Sequence, residues 1–371
     1  MVEEDQPCVF LTARGKPAIA PRTRAVPGGT HAVDVDLSTS YLGLALRNPV
    51  VMSASPLTAE IHRVEQFAAA GVSAAVLPSL FAEHIEDSQI GRRTAAGADD
   101  CLSSSRVLHD TGSFAASPDT FLRQLELAKQ CLSIPIIASV NGSFSKGWIP
   151  FVRVIQDAGA DALELNIYFV ATDPMMSGED VELRYLDVVS AVRKELQIPL
   201  AIKLGPYFSS LPNFARRLID AGADGLVLFN RYVHPEIDPA TLQAKPHLEL
   251  SSSSELRLPL RWVGILRGQI SGSLAVTGGV HTAEDLVYAI LAGADVAMLA
   301  SALIQHGPVI VPTLLDGLAS WIATKHFHSV SEVRGLASFR SGPDAPGDER
   351  ADYAEQLGMF ADRQHHRTLR T

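Results

Sequence analysis

Cysteine is sparse in this chain and never paired: Cys8, Cys101 and Cys131 lie far apart, and no C-x-x-C occurs. Such spacing excludes the usual ligand sets of iron–sulfur clusters and zinc knuckles, and an odd, scattered trio builds no disulfide framework. The usage predicts a reducing cytoplasm. Clustered Lys and Arg are missing too. A formal net charge of −10 argues against nucleic acid as the main partner, because phosphate backbones select basic surfaces. No apolar run approaches the length of a transmembrane span, so no membrane insertion is expected. The opening Met-Val-Glu-Glu-Asp is acidic where a signal or transit peptide is basic, and no apolar h-region follows. The strand-to-helix loops lack G-x-G-x-x-G spacing, which argues against a nicotinamide site of the Rossmann kind.

What is present is a repeated phrase. Ala70-Gly71-Val72 precedes Ala74–Leu77, and Ala158-Gly159-Ala160-Asp161 precedes Ala162–Leu165. Ala221-Gly222-Ala223-Asp224 precedes Gly225–Phe229, and Ala292-Gly293-Ala294-Asp295 precedes Val296–Leu299. In each, a helix ends at a glycine able to take positive φ, and a short apolar run follows. Such runs read as strands buried on both faces, as a helix-covered parallel sheet requires. Pro49–Ala54, Pro135–Val140, Pro199–Leu204 and Leu274–Thr277 supply four more, giving eight. Helices are expected over Arg63–Ala70 and Pro118–Cys131.

At 371 residues, 47% hydrophobic and 19% charged, the chain has material for a sizeable core in one large domain with extensions, or in two ordinary ones. Eight strands alternating with helices favour the first, an α/β fold of the (β/α)8 TIM-barrel type. Residues 1–33 read as a mobile N-terminal extension, 34–326 as the barrel and 327–371 as a polar C-terminal appendage. The long polar stretch Glu83–Pro118 reads either as a lid or subunit contact or as a disordered insertion.

A barrel carries its active site at the carboxyl ends of its strands. Polar residues collect there: Ala54-Ser55 after strand one, Ser79 after two, Asn141 after three and Asn166 at the end of four. Lys203 lies inside strand five, Asn230 follows six, Thr277-Gly278-Gly279 close seven, and Ala300-Ser301 close eight. An asparagine after a strand can be a turn former as well as a ligand contact. A lysine flanked by Ala201, Ile202 and Leu204 must snorkel outward or meet an anion or acceptor. Gly278-Gly279 with the segment after Ala300-Ser301 would form a phosphate site of bare N–H donors, suited to a monophosphate such as flavin mononucleotide. His234, His247, His281 and His306 share no ligand spacing, so no metal site is expected and capping or surface roles are favoured. Ser251–Ser254 reads as an ordinary polar loop, or as a source of hydroxyl donors near the phosphate.

At these residues the chain resembles the dihydroorotate dehydrogenase family of FMN-dependent barrel oxidoreductases. The likeness runs from about Val35 to Gly307. It rests on Asn48-Pro49-Val50 leading into Ala54-Ser55, on Glu164-Leu165-Asn166-Ile167 and on Lys203-Leu204-Gly205-Pro206-Tyr207-Phe208. Phe229-Asn230, Thr277-Gly278-Gly279-Val280 and Gly293-Ala294-Asp295 running to Ala300-Ser301 complete it. The resemblance implies FMN as cofactor, with Ala54, Ser55 and Ser79 on the flavin side. Asn141 and Asn166 would bond the ring or the substrate, and Lys203 would sit at the pyrimidine side, where a cation stabilises negative charge. Gly278, Gly279, Ala300 and Ser301 would hold the phosphate, and Asn230 would reach the substrate.

Departures from the family pattern matter as much. The Lys-Ser of many members after strand two is Pro78-Ser79 here, and Phe169 falls where a Cys or Ser acts as base. The Asn-rich substrate loop is not recognisable within Glu83–Pro118. Tyr168 and Asp173 are the nearest residues able to replace the base; Tyr168 would need its pKa lowered, by Lys203, and could equally be a packing residue over the ring. The expected function is oxidation of a dihydropyrimidine-like CH–CH substrate by hydride transfer to flavin, with the base replaced. A non-catalytic flavin subunit of a redox complex and a non-redox barrel enzyme for a phosphorylated substrate stand as alternatives. A small-molecule substrate, an electron-acceptor protein and a homodimeric assembly are the expected partners.

Overall fold

The computed structural model of the chain describes residues 24–25, 34–95, 117–339 and 350–359. Eight parallel strands close into a barrel: Val50–Met52, Ala74–Val76, Ile136–Asn141, Ala162–Asn166, Leu200–Leu204, Gly225–Leu228, Ser273–Thr277 and Val296–Leu299. These are barrel strands one to eight. Pairing of strand one with both strand eight and strand two, and of two with three, closes the ring. Strand two resumes at Leu80–Phe81, beside the end of strand three. All eight expected strands are observed, their ends differing by a residue or a few.

Strand periodicity sorts the side chains into two sets. Val51, Val76, Ile137, Ala162, Ala201, Val227, Ala275 and Met298 face into the barrel, while Met52, Leu163, Leu165, Ile202, Leu226 and Val276 face the surrounding helices. Small residues on the inner face leave room for a plug from below. A hairpin of Thr39–Tyr41 with Leu44–Leu46 fills that place, burying Tyr41, Leu42 and Leu46 against the inner residues.

The repeated phrase does more than end helices. Its glycines hold φ between +97° and +127°, as expected of residues without Cβ. Its aspartates then fix the sheet at the barrel's lower rim. Asp161 accepts from Ile136 N–H at 2.7 Å, Asp224 from Leu200 N–H at 2.8 Å, and Asp295 from Leu274 N–H at 2.7 Å. In the first phrase Ser73 stands there and donates to Val50 O at 2.8 Å. Each aspartate also meets a cation: Lys129, Arg193, or the pair Arg267 and Arg334. Asp295 is buried, with Arg267 at 3.0 Å and Arg334 at 2.8 Å. Asp295→Ala strands two guanidinium groups and a strand amide, and is expected to cost about 3 kcal/mol in urea unfolding. A cost below about 1 kcal/mol would show that this rim is not held by charge.

Of the polar stretch Glu83–Pro118, the first part belongs to a helix, Ala82–Ala95, and the rest lies outside the described residues up to the helix Pro118–Cys131. Most of residues 1–33, with Cys8, and Cys101 likewise lie outside them. The appendage begins by binding the barrel: Asp36 N–H donates to His328 O, Val330 N–H to Asp36 O, and Arg334 reaches Asp295. Two features depart from the sequence reading. An exposed antiparallel hairpin, His234–Asp238 with Gln243–His247, follows strand six. One helical stretch, Ser301–Thr324, does reach the length and mean hydropathy (1.2) of a membrane span. Its Val311, Leu314, Leu315, Leu318 and Ile322 are buried in the barrel's outer core, the arrangement of a core helix.

Candidate functional site

Strand parity decides where Lys203 goes. Ala201 faces inward, Ile202 outward, so Lys203 points into the barrel rather than snorkelling to solvent. The same count on strand four turns Glu164 and Asn166 inward from Ala162. Lys203 Nζ and Glu164 Oε1 meet at 3.4 Å, both buried. Glu164 Oε2 and the Tyr41 hydroxyl, from the plug below, lack hydrogen-bond partners among the described residues. Burial, then Glu164 and Asp295, push the Tyr41 phenol well above its ordinary range, so it stays protonated. Lys203 thus stands on a buried carboxylate with its ammonium toward the mouth, an arrangement the sequence reading did not anticipate. The signal was available in the alternation Ala162-Leu163-Glu164-Leu165-Asn166.

Above the pair opens a cavity of about 460 Å³, within the range of cofactor sites. Ala54, Ser55, Ser79, Asn166, Lys203, Asn230, Gly278, Gly279, Ala300 and Ser301 all line it. Ten of the eleven expected cofactor and substrate residues therefore converge on one space. Asn230 Nδ2 donates to Asn166 Oδ1 at 2.6 Å, joining strands four and six across the mouth. Ser79 and Ser139 hydroxyls meet at 2.7 Å. Asn141 ends strand three beside Asn166 and is half-buried, but it is not among the cavity-lining residues. Arg231 bonds Glu255 at 2.7 Å and the Glu249 carbonyl, tying the post-hairpin loop to the mouth.

One end of the cavity is formed by a glycine turn and the loop after the hairpin. Gly278 and Gly279 have φ of +82° and +85°. A Cβ at Gly278 would meet nothing within 4 Å, whereas one at Gly279 would lie 2.4 Å from Leu256 N. The turn therefore presses on one side against the loop after the hairpin and faces open space on the other. Ser251, in that loop and buried, donates its N–H to Ser301 Oγ at 2.9 Å and accepts Gly279 N–H on its hydroxyl at 3.2 Å. His281 Nε2 lies 3.1 Å from the same hydroxyl. Ser251 thus ties the Gly278-Gly279 turn to Ser301, while Ser252 and Ser253 bond Glu255 and Asp285. His281 is neither a cap nor a bare surface residue; the cap of the helix Ala283–Ala292 is Thr282.

The opposite side is aromatic. Tyr168 does not line the cavity, and its hydroxyl accepts from Val233 N–H at 3.2 Å rather than facing Lys203. Its ring lies against Tyr232 with centroids 4.7 Å apart, and Tyr207 packs edge-on at 5.4 Å from Tyr232. Burial, then the neighbouring phenols Tyr168 and Tyr207, push Tyr232 up to about 12. Phe169 packs edge-on to Phe144 at 4.8 Å. Asp173 turns back to accept from Met175 N–H. A second cavity of about 500 Å³ lies behind this wall and shares Tyr207, Tyr232 and His234 with the first. Sequence reasoning missed Tyr207 and Tyr232 because aromatic residues in loops carry no periodic signal.

Among known proteins, the family model for Dihydroorotate dehydrogenase matches residues 36–322. The chain is 26% identical over 309 residues to the dihydroorotate dehydrogenase B (NAD(+)) catalytic subunit of Thermoplasma acidophilum, covering 81% of this chain and 99% of that one. It is 30% identical over 223 residues to the catalytic subunit of the same name from Bacillus mycoides, covering 58% and 69%. A crystal structure of DHODH from Eimeria tenella, in complex with ferulenol, shares the fold: TM-score 0.58, 16% identity, 81% of this chain and 88% of that one. The family match spans every barrel strand and both walls of the mouth, and with the inward lysine and the Gly-Gly turn it settles the assignment: this chain belongs to the dihydroorotate dehydrogenase family of oxidoreductases.

Proposed function

We propose that this chain is an FMN-dependent oxidoreductase that oxidises a CH–CH bond in a dihydropyrimidine-like substrate, with the family's Cys or Ser base replaced. The observation that carries it is the inward Lys203, seated on Glu164, in a cavity whose far end is the Gly278-Gly279 turn. The residues present suit FMN: Gly278 faces open space, the cavity volume is adequate, and a cation stands at its floor. Ala54 and Ser55 would lie against the ring, Asn166 and Lys203 at its pyrimidine side, and Gly278, Gly279, Ala300 and Ser301 at the phosphate. Bound there, FMN supplies an acceptor for a hydride.

The chain's own part is to orient the substrate and remove a proton from the neighbouring carbon. Asn230 and Asn166 present amide groups to the mouth for the first task. Tyr168 enters this reading as a loop tie, since its hydroxyl is spent on Val233. His234, at the start of the exposed hairpin, lines both cavities. Relatives named catalytic subunits support a separate protein as electron acceptor.

Purified protein is expected to show flavin absorbance bands, or to gain them on incubation with FMN. Anaerobic dihydroorotate is expected to bleach them slowly or not at all, and another dihydropyrimidine faster. Protein that takes up no FMN overturns the reading; rapid bleaching by dihydroorotate overturns the replaced-base part of it. Phe169 at the base position favours one second reading, a flavin subunit that only relays electrons. Failure of every dihydropyrimidine to bleach a loaded flavin, with a redox partner co-purifying, would select it.

A further inference from the structure

The phosphate cradle contains a titratable side chain that none of the roles above uses. His281 lies half-buried behind Ser251, and Ser251 links it to both halves of the cradle through Gly279 and Ser301. A serine hydroxyl has one hydrogen and two lone pairs. Gly279 N–H occupies one lone pair at 3.2 Å. When Nε2 of His281 carries no proton, the hydroxyl hydrogen is drawn to it across 3.1 Å. When Nε2 is protonated, its N–H takes the second lone pair, and the hydroxyl hydrogen is released toward the cavity that Ser251 lines.

We infer that His281 is a positioning residue for the cofactor's phosphate: its protonation turns Ser251 into a donor to the phosphate and adds a cation behind the cradle. This rests on the reading that FMN occupies the site. The balance is simple, since one proton passes from solvent to Nε2 as the dianion binds. Three charged or titratable groups face the imidazole, each from a different element. Asp285 lies on the helix that His281 precedes, Glu255 on the short helix Ser253–Leu256, and His306 at the end of the helix Ser301–His306. Burial, aided by His306, holds His281 below its ordinary value against the pull of Asp285, Glu255 and a hydrogen bond with Gln305. Asp285 is itself committed, accepting from Ser253 Oγ at 2.7 Å and from the His281 and Thr282 amides. The free protein therefore holds His281 largely neutral at neutral pH, and a bound dianion raises its pKa. The sign follows: FMN binds more tightly as pH falls through that window.

The test measures dissociation constants for FMN and for riboflavin, which has no phosphate, with the full chain from pH 6 to 8.5. The wild type is expected to tighten on FMN as pH falls, by up to about tenfold per pH unit between the free and bound pKa values. Riboflavin affinity should stay flat. His281→Gln should flatten the FMN slope, leaving only the opposite trend from the phosphate's own pKa near 6. Ser251→Ala should weaken FMN binding and reduce the slope without abolishing it, because the His281 cation remains behind the cradle. Equal FMN slopes in wild type and His281→Gln overturn the assignment while leaving FMN binding standing. Failure of both flavins to bind at any pH overturns the cofactor reading, and this inference with it.

Discussion

Lys203→Met is expected to destabilise the protein by about 3–5 kcal/mol in urea unfolding, a loss far larger than the side chain's apolar contacts account for. The reason is Glu164. It is wholly buried, one carboxylate oxygen already lacks a partner among the described residues, and the other faces Lys203 at 3.4 Å. Removing the ammonium leaves a charge that neither solvent nor a neighbour compensates. The double variant Glu164→Leu/Lys203→Met should recover most of the loss, because two apolar groups of similar volume leave neither a charge nor a polar atom to be paired. A single variant as stable as the wild type would mean that the pair is not the anchor described here. The double variant also separates roles: restored stability without restored flavin affinity would place the cation's value at the cofactor.

Gly279→Ala is the second large effect. The residue holds a φ of +85°, where a Cβ costs about 1–2 kcal/mol, and that Cβ would lie 2.4 Å from Leu256 N. Backbone cannot step aside as a flexible side chain can, so the loop carrying Ser251 must shift. Flavin retention is expected to fall about 10- to 100-fold, the equivalent of one charge-assisted hydrogen bond. Gly278→Ala is the control: its φ is +82°, yet its Cβ meets nothing within 4 Å of protein. If Gly278→Ala impairs stability as much as Gly279→Ala, backbone strain alone explains both. If Gly279→Ala weakens FMN binding no more than riboflavin binding, the turn is not the phosphate end.

Much of the barrel was legible along the chain because its signals are local. A helix-ending glycine followed by an apolar run needs only neighbouring residues to be recognised and marked four strands; the other four stood out as short apolar runs, three of them led by a proline. The aspartates of the repeated phrase were visible as letters, but their role was not. Asp161 bonds Ile136 and Asp224 bonds Leu200, each a partner on the preceding strand about a helix and a loop away. The exposed hairpin after strand six went unseen for a different reason. His234–Asp238 and Gln243–His247 bury almost nothing, so no alternation of apolar and polar residues marks them.

The site divides along the same line. Lys203, Asn166 and the Gly278-Gly279 turn announce themselves locally, as a charge in an apolar strand, a polar strand end and a pair of residues without Cβ. Phe169 is also visible as a single letter, and its reading as a replaced base rests on the family likeness. Glu164 beneath Lys203 is 39 residues away in sequence, and Ser251 is 30 from His281; only the closure of the barrel brings each pair within bonding distance. Tyr168 shows the converse. Proximity in sequence to Asn166 made it a candidate base, yet its loop turns the hydroxyl to Val233, 65 residues on, and away from the lysine. Chain chemistry alone therefore sufficed for the barrel and the family likeness, because both rest on short-range patterns. Which side chains are charged together, which hydroxyl faces the cradle and which phenol is spent on a loop were decided by tertiary closure, because hydrogen bonds and ion pairs depend on distances in space.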